Sequence, residues 1–270
     1  LEYRDQIRDT KQALIAAFVL VLLPLLFLYK TQSDMGSAVV ILVGAFVVMW
    51  LGGLPGRFVA VLGIAVVVGG VFGIAGYRAD RVSVWLDPWS DQYDTGYQMI
   101  RSFFAFSEGG ILGVGLGNSR EKFLYLPEAE TDFIFSIIGE ELGLVGALFV
   151  IALFVAVLVC GLLIAKRASD DFGTMIAGGL TCMLVGQAFL NMACATGLFP
   201  TTGKPLPFIS SGGSSVVASL LMVGIIMSVS RVAGEEALTP HRASAERRRA
   251  NLNYISRGRR TASAFALLFV

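Results

Sequence analysis

Histidine is almost missing from this chain: one occurs in 270 residues, His241, in a polar carboxy-terminal stretch. Proton transfer anywhere else must therefore use carboxylates, lysines or hydroxyls. Cysteine is nearly as scarce. Cys160, Cys182 and Cys194 sit singly inside apolar runs and imply neither a disulfide framework nor a zinc site, which leaves small buried hydrophobes as their reading. Charge is sparse, at 15% of residues, and balanced at net +1, so neither nucleic acid nor a uniformly charged partner is implied. Apolar residues fill the space: 55% are hydrophobic and mean hydropathy is +0.72, well above an ordinary soluble domain. The composition is that of an integral membrane protein.

Apolar runs of spanning length fall at 12–29, 37–53, 58–76, 143–165, 173–195 and 214–231, which predicts an all-α polytopic membrane protein with six transmembrane helices in this chain. The connections TQSDMGS and GLPGR are short enough to make the first three antiparallel hairpins. Arg4, Arg8, Lys11, Arg57, Lys166, Arg167, Arg231 and Arg247 to Arg249 gather on one side of the spans, which places both ends in the cytoplasm. Residues 1–11 are then a cytoplasmic loop and 232–270 a basic cytoplasmic tail whose last apolar run, ALLFV, is too short to span. Because the chain begins without methionine, an upstream segment is expected. The outer face carries a large loop, 77–131, and a second loop near 197–213.

One stretch stands out. LPEAETDFIFSIIGEELG, Leu126 to Gly143, sets Glu128, Glu130, Asp132, Glu140 and Glu141 against an apolar run entering the membrane. Carboxylates are costly there, which points to a functional site with a partner or a wet cleft. The other reading makes Thr131 an N-cap and Asp132 a first-turn acid on the helix dipole. It leaves Glu128, Glu130 and Glu140 unexplained. Asp34, between the first two spans, reads as a cap or turn residue.

The large loop carries interfacial aromatics, Trp85, Trp89, Tyr93 and Tyr97. GYQMIRSFFAFSEGG then predicts a short helix, lying in the interface plane or packed on neighbouring helices. GGILGVGLGNS mimics a dinucleotide loop, but Asn118 takes the third glycine position and no βαβ unit flanks it. No nucleotide cofactor is expected, and a sugar donor would be lipid-linked. The second outer loop, GLFPTTGKPLPFISSGGSS, is stiffened by Pro200, Pro205 and Pro207. Within it Lys204 is either a cation set for a phosphate or an ordinary surface lysine.

LDPWSDQYDTGYQMIRSFFAF, GGILGVGLGNSREKFLYLPEAETDFIFSIIGEELG and LFPTTGKPLPFISSGGSS together resemble the SEDS family (shape, elongation, division and sporulation) of polytopic membrane glycosyltransferases. The three motifs lie in order over about half the chain. GLGNS, Lys122 and YLPEA resemble the division branch more than the elongation or sporulation branches. The sequence departs from the family's pattern at Ser33, Met35, Glu130, Lys204 and Ser211. Members have ten spans, so the resemblance implies that these six are the fifth to tenth. It also implies polymerisation of lipid II on the outer face of the bacterial cytoplasmic membrane, at the division septum, beside a class B penicillin-binding protein that crosslinks the strands. The family's essential loop aspartate falls on Asp132.

The chemistry that fits is attack of an acceptor 4-hydroxyl on an anomeric carbon whose leaving group is undecaprenyl pyrophosphate. Asp132 is the expected base, and Lys204, Arg101, Lys122, Glu128, Glu130 and Ser210 the expected substrate-binding set. An aspartate of pKa about 3.9 is a weak base, so burial or neighbouring acids must raise it, or a divalent cation, Mg2+ or Mn2+, must be held by Asp132 and Glu130. Two rivals stand beside this reading. A flippase for lipid-linked precursors would place its charges at mid-membrane, and a non-catalytic scaffold would work without Asp132.

Overall fold

The computed structural model describes residues 35–53, 79–94 and 96–238, together with Val19, Phe27 and Gly63. The spans expected at 12–29 and 58–76, Asp34 and the tail beyond Leu238 lie outside the described residues. Among those described, every regular element is helical: α1 (Met35–Leu51), α2 (Ala79–Leu86), a 3-10 turn (Pro88–Asp91), α3 (Tyr97–Gly109), α4 (Arg120–Leu124), α5 (Ile134–Arg167), α6 (Asp171–Ala195) and α7 (Gly213–Leu238). Among the described residues three helices are long and apolar enough to cross a membrane: α5, α6 and the Gly213–Gly234 part of α7. The apolar helix α1 is shorter, at 17 residues.

The centre of the bundle is α6, which packs against α1, α5 and α7. Half of its most apolar window is buried, against 22% for α5 and 11% for α7, so α6 is the span most enclosed by the described residues. Close approach depends on small residues, as expected where lipid is as apolar as the partner helix. A Cβ on Gly161 of α5 would come within 2.2 Å of Thr181 Oγ1 on α6. The start of α6 is capped by Asp170, whose carboxylate accepts from Gly173 N at 3.2 Å. The end of α5 carries Lys166 and Arg167, cations that suit the negative end of the helix dipole.

The fifth helix differs from expectation. It begins at Ile134 instead of near Gly143, and its 34 residues measure about 51 Å, far more than the roughly 30 Å hydrocarbon layer. The two lengths are reconciled by a break. Gly143 has φ 67° and ψ −166°, so Ile134–Leu142 and the spanning part are separate helical pieces. Such a break strands carbonyls on one side and amides on the other, and in a membrane protein each unpaired group is costly. The glycine-rich segment 110–115 pairs them. Val114 N donates to Glu140 O (3.0 Å), Gly115 N to Glu141 O (3.0 Å), Leu144 N to Gly110 O (2.9 Å) and Val145 N to Ile111 O (3.2 Å). GGILGVG is therefore a seal for a broken helix.

Thr131 is not the helix cap either. The cap position is Phe133, which offers no side-chain bond, and no acid lies in the first turn. Thr131 Oγ1 instead donates to Glu128 Oε2 at 2.7 Å. With Asp132 outside the helix, the dipole no longer accounts for its carboxylate. The helix expected from GYQMIRSFFAFSEGG is α3, and it packs on α5 through Met99, Ile100, Ser102, Ala105 and Gly109, the second of its two anticipated placements. One polar point joins three helices. Ser102 Oγ donates to Ala195 O of α6 and accepts from Ser136 Oγ of α5, both at 2.5 Å.

Replacing Gly143 with alanine should disrupt the seal, because a Cβ there would lie 2.4 Å from Gly113 N and 2.5 Å from Ile111 O, at a φ that only glycine adopts readily. We expect a loss of about 1–3 kcal/mol or more, read as a lower apparent melting temperature in detergent. Gly224→Ala is the control, since none of the described residues lies within 4 Å of a Cβ there. Equal melting of the two variants would mean that the break imposes no constraint.

Candidate functional site

Asp132 lies in a tight turn that precedes α5. Its amide donates to Glu128 O (3.1 Å), which also accepts from Thr131 N and Phe133 N, and Glu128 closes this turn at φ 55°, a conformation unusual for a residue with a side chain. Two elements hold the turn from outside. Ser211 N donates to Glu130 O (2.8 Å) and Ser210 Oγ donates to Thr131 O (2.5 Å), both from the loop between α6 and α7, while Asn191 Nδ2 of α6 donates to Asp132 O (2.8 Å). The two loops read separately from the sequence thus meet at one place.

A cavity of about 230 Å³ opens between them. Its walls are Asp132 and Phe133, Asn191 and Cys194 of α6, the loop Thr201–Lys204, Gln98 and Met99 of α3, and Val84 of α2. That volume lies just below ordinary ligand pockets of roughly 300–1,000 Å³, which suits the reacting part of a substrate more than a whole one. Fixed supports shape the wall. Trp85 Nε1 donates to Gly197 O (2.8 Å), Gln187 Nε2 to Pro205 O (2.9 Å) and Cys194 Sγ to Pro200 O (3.1 Å).

Burial pushes the Asp132 carboxyl above its ordinary pKa, the nearby Glu128 charge adds to this, and the Lys204 cation opposes it. Lys204 is itself placed: its ammonium donates to Ser37 Oγ at the start of α1, and its stem packs where a Cβ on Gly36 would be. An acid with raised proton affinity and a fixed cation therefore share one cavity. Such a pair can take a proton from a hydroxyl and steady a departing phosphate.

The other expected residues are placed elsewhere. Arg101 pairs with Glu121 (3.4 Å) and lies over the rings of Tyr97, Phe104 and Tyr125. Lys122 stands 3.9 Å from Glu130, whose side chain is 64% exposed. Neither cation lines the Asp132 cavity. Ser210 is buried, and its hydroxyl accepts from Leu206 N (2.7 Å) while donating to Thr131 O, so it latches the loops together. Glu128 is exposed and acts on Asp132 through charge.

Glu140, grouped with the site acids from sequence, is wholly buried and accepts from Ser119 Oγ (2.6 Å), Arg120 N (2.7 Å) and Glu121 N (3.4 Å). It anchors the start of α4. Among the described residues no three of His, Cys, Asp and Glu come together as a metal site, and Glu130 lies outside the cavity wall. That donor set does not fit a cation caged by protein groups alone. Asn191, Gln98 and Cys194 were missed. The available signal was a pair of amides, Gln187 and Asn191, inside a largely apolar span, which is itself a reason to suspect function.

A family profile described as "Cell cycle protein", FtsW/RodA/SpoVE, matches residues 2–235. The chain belongs to this family. It is 40% identical over 229 residues to the probable peptidoglycan glycosyltransferase FtsW of Geobacter sulfurreducens, covering 84% of this chain and 61% of that protein. It is 41% identical over 203 residues to stage V sporulation protein E of Bacillus subtilis, covering 74% and 55%. The fold is similar to a chain of a solved peptidoglycan synthase complex that coordinates polymerisation and crosslinking, with TM-score 0.65, 29% identity and coverage of 80% and 61%. It is also similar to the rod shape determining protein RodA of Thermus thermophilus, with TM-score 0.52, 27% identity and coverage of 80% and 57%. The chain thus spans about 61% of the first of these relatives.

Glu140→Ala should destabilise the loop without touching the cavity. It strands buried donors, each worth about 1–3 kcal/mol, so the melting temperature should fall well below that of Glu140→Gln, which keeps an acceptor oxygen. Matching temperatures for the two would show that the carboxylate's bonds carry no stability.

Proposed function

We propose that the protein containing this chain is an inverting glycosyltransferase that polymerises lipid II into β-1,4-linked glycan strands for the septal wall. The observation that supports this best is Asp132, a carboxyl of raised proton affinity facing a cavity shared with Lys204. In this reading Asp132 accepts the proton of the acceptor sugar's 4-hydroxyl as its oxygen forms the bond to the donor's anomeric carbon. The bond from that carbon to undecaprenyl pyrophosphate breaks, and its electron pair leaves with the pyrophosphate, which Lys204 meets as a point charge. Inversion in one step needs no side-chain nucleophile. A magnesium or manganese ion enters only as one carried by the substrate's own phosphate oxygens.

Relatives named FtsW support the division role, and the sporulation role is the alternative. A class B penicillin-binding protein is the proposed partner. In the bacterial inner membrane the whole protein has ten spans, of which this chain supplies six, with 77–131 and 197–213 as outer loops and both ends of the chain inside.

Sidedness can be read by labelling. Cysteines placed at exposed Ser90 and Ser211 should react with an impermeant thiol reagent added outside intact cells, and one at exposed Ser169 should not. Labelling at Ser169 alone would invert the topology.

Asp132→Asn retains shape but lacks the anionic oxygen. Polymerisation of labelled lipid II by the full-length protein with its partner should fall by at least about 10²–10⁴-fold, with melting temperature nearly normal. In the native enzyme the rate should rise with pH through a midpoint above the usual aspartate range, because the base must be ionised and burial raises its pKa. Near-normal turnover of the variant would sink the assignment.

A further inference from the structure

The mechanism above gives Asn191 no part, yet the structure does. This residue lies in the last turns of α6, is 1% exposed and lines the cavity. Its amide nitrogen serves two loops at once, donating to Asp132 O at 2.8 Å and to Lys204 O at 2.7 Å. Chemistry fixes that orientation, since a flipped amide would set its own oxygen against two carbonyl oxygens. The remaining atom, Oδ1, is buried with no partner among the described residues. A buried amide retained for packing alone would normally satisfy both ends.

We propose that Asn191 is the positioning residue of this site: its amide spans the backbones of Asp132 and Lys204 and holds carboxylate and ammonium at one spacing around the reacting centre. The proposal rests on the polymerase reading given above. Helix α6 is the rigid element available for this purpose, being the most buried of the three spans. Ser210 and Ser211 tie the same loops through Thr131 and Glu130, whereas Asn191 bonds residues 132 and 204 themselves. The groups that act on Asp132 are Glu128, which raises its proton affinity, and Lys204, which lowers it, with the Cys194 thiol in the same wall. Releasing the Lys204 loop therefore leaves Asp132 harder to ionise.

The test is polymerisation of labelled lipid II by the full-length protein with its transpeptidase partner, measured across pH and scaled to folded molecules. Asn191→Ala should lower kcat by about 10–100-fold, the scale of an ångström-sized misplacement, with KM for lipid II little changed. Its acid limb should move to higher pH. Asn191→Leu removes both donors at nearly constant volume and adds no charge, so it should behave alike, which covers the case in which the alanine variant folds poorly. With Lys204→Met in the background, Asn191→Ala should no longer move the limb. Folded Asn191→Ala and Asn191→Leu with native kcat and native pH profile would overturn the proposal, as would a pH shift that is the same with and without Lys204. Asp132→Asn, run alongside, separates the two levels: if it is inactive the polymerase reading stands whatever Asn191 does, and if it turns over normally both ideas fall.

Discussion

The backbone pairing across the break at Gly143 is the constraint on which the rest depends. A helix interrupted at the edge of a bilayer exposes polar groups that lipid cannot solvate, and here four bonds from residues 110–115 absorb them. Those bonds do more than satisfy the break. They fix the end of α3, the start of the glycine segment and the first piece of α5 relative to one another, and Glu140 extends the same joint to α4. The Asp132 turn grows directly out of this joined block.

Against that block sits a second one, the proline-stiffened loop held by α6. Ser210, Ser211 and Asn191 reach from one to the other with hydrogen bonds of 2.5–2.8 Å. The outcome is an electrostatic compromise at Asp132. Burial and Glu128 favour the protonated acid, Lys204 favours the anion, and the balance leaves a carboxyl more basic than a surface aspartate. Glu128 shares the turn of Asp132, whereas Lys204 comes from the other block, so the balance depends on the spacing of the blocks.

Much of the frame was legible in the sequence. Apolar runs placed α1 and α6 within two residues and the start of α7 within one, because hydropathy is a strong signal for a long apolar helix, while α7 continues seven residues past its apolar run to Leu238. The prolines and Lys204 pointed to a shaped loop. The start of α5 was not legible, since Ile134–Leu142 is apolar for packing on α3 and the seal at Gly143 involves partners some thirty residues away in sequence. For the same reason Glu140 looked like a member of the acid cluster: its ligands, Ser119 to Glu121, are brought to it by tertiary structure. Thr131 followed by Asp132 has the pattern of a helix start, but Glu128 in a left-handed conformation captures that turn first. Asn191 was hidden by its neighbours, an apolar span in which one amide carries little weight until its two acceptors are known.

The broken helix also separates two events in the birth of the protein. From Gly143 to Arg167 the chain measures about 37 Å, enough by itself to be recognised and left in a bilayer, while Ile134–Leu142 has no length to contribute to that step. Residues 97–115 are already made when that part enters a bilayer, but the turn that carries Asp132 is also held by Asn191, Ser210 and Ser211, which are made later. The Asp132 carboxyl is thus set in place only after every span that touches its turn has been made.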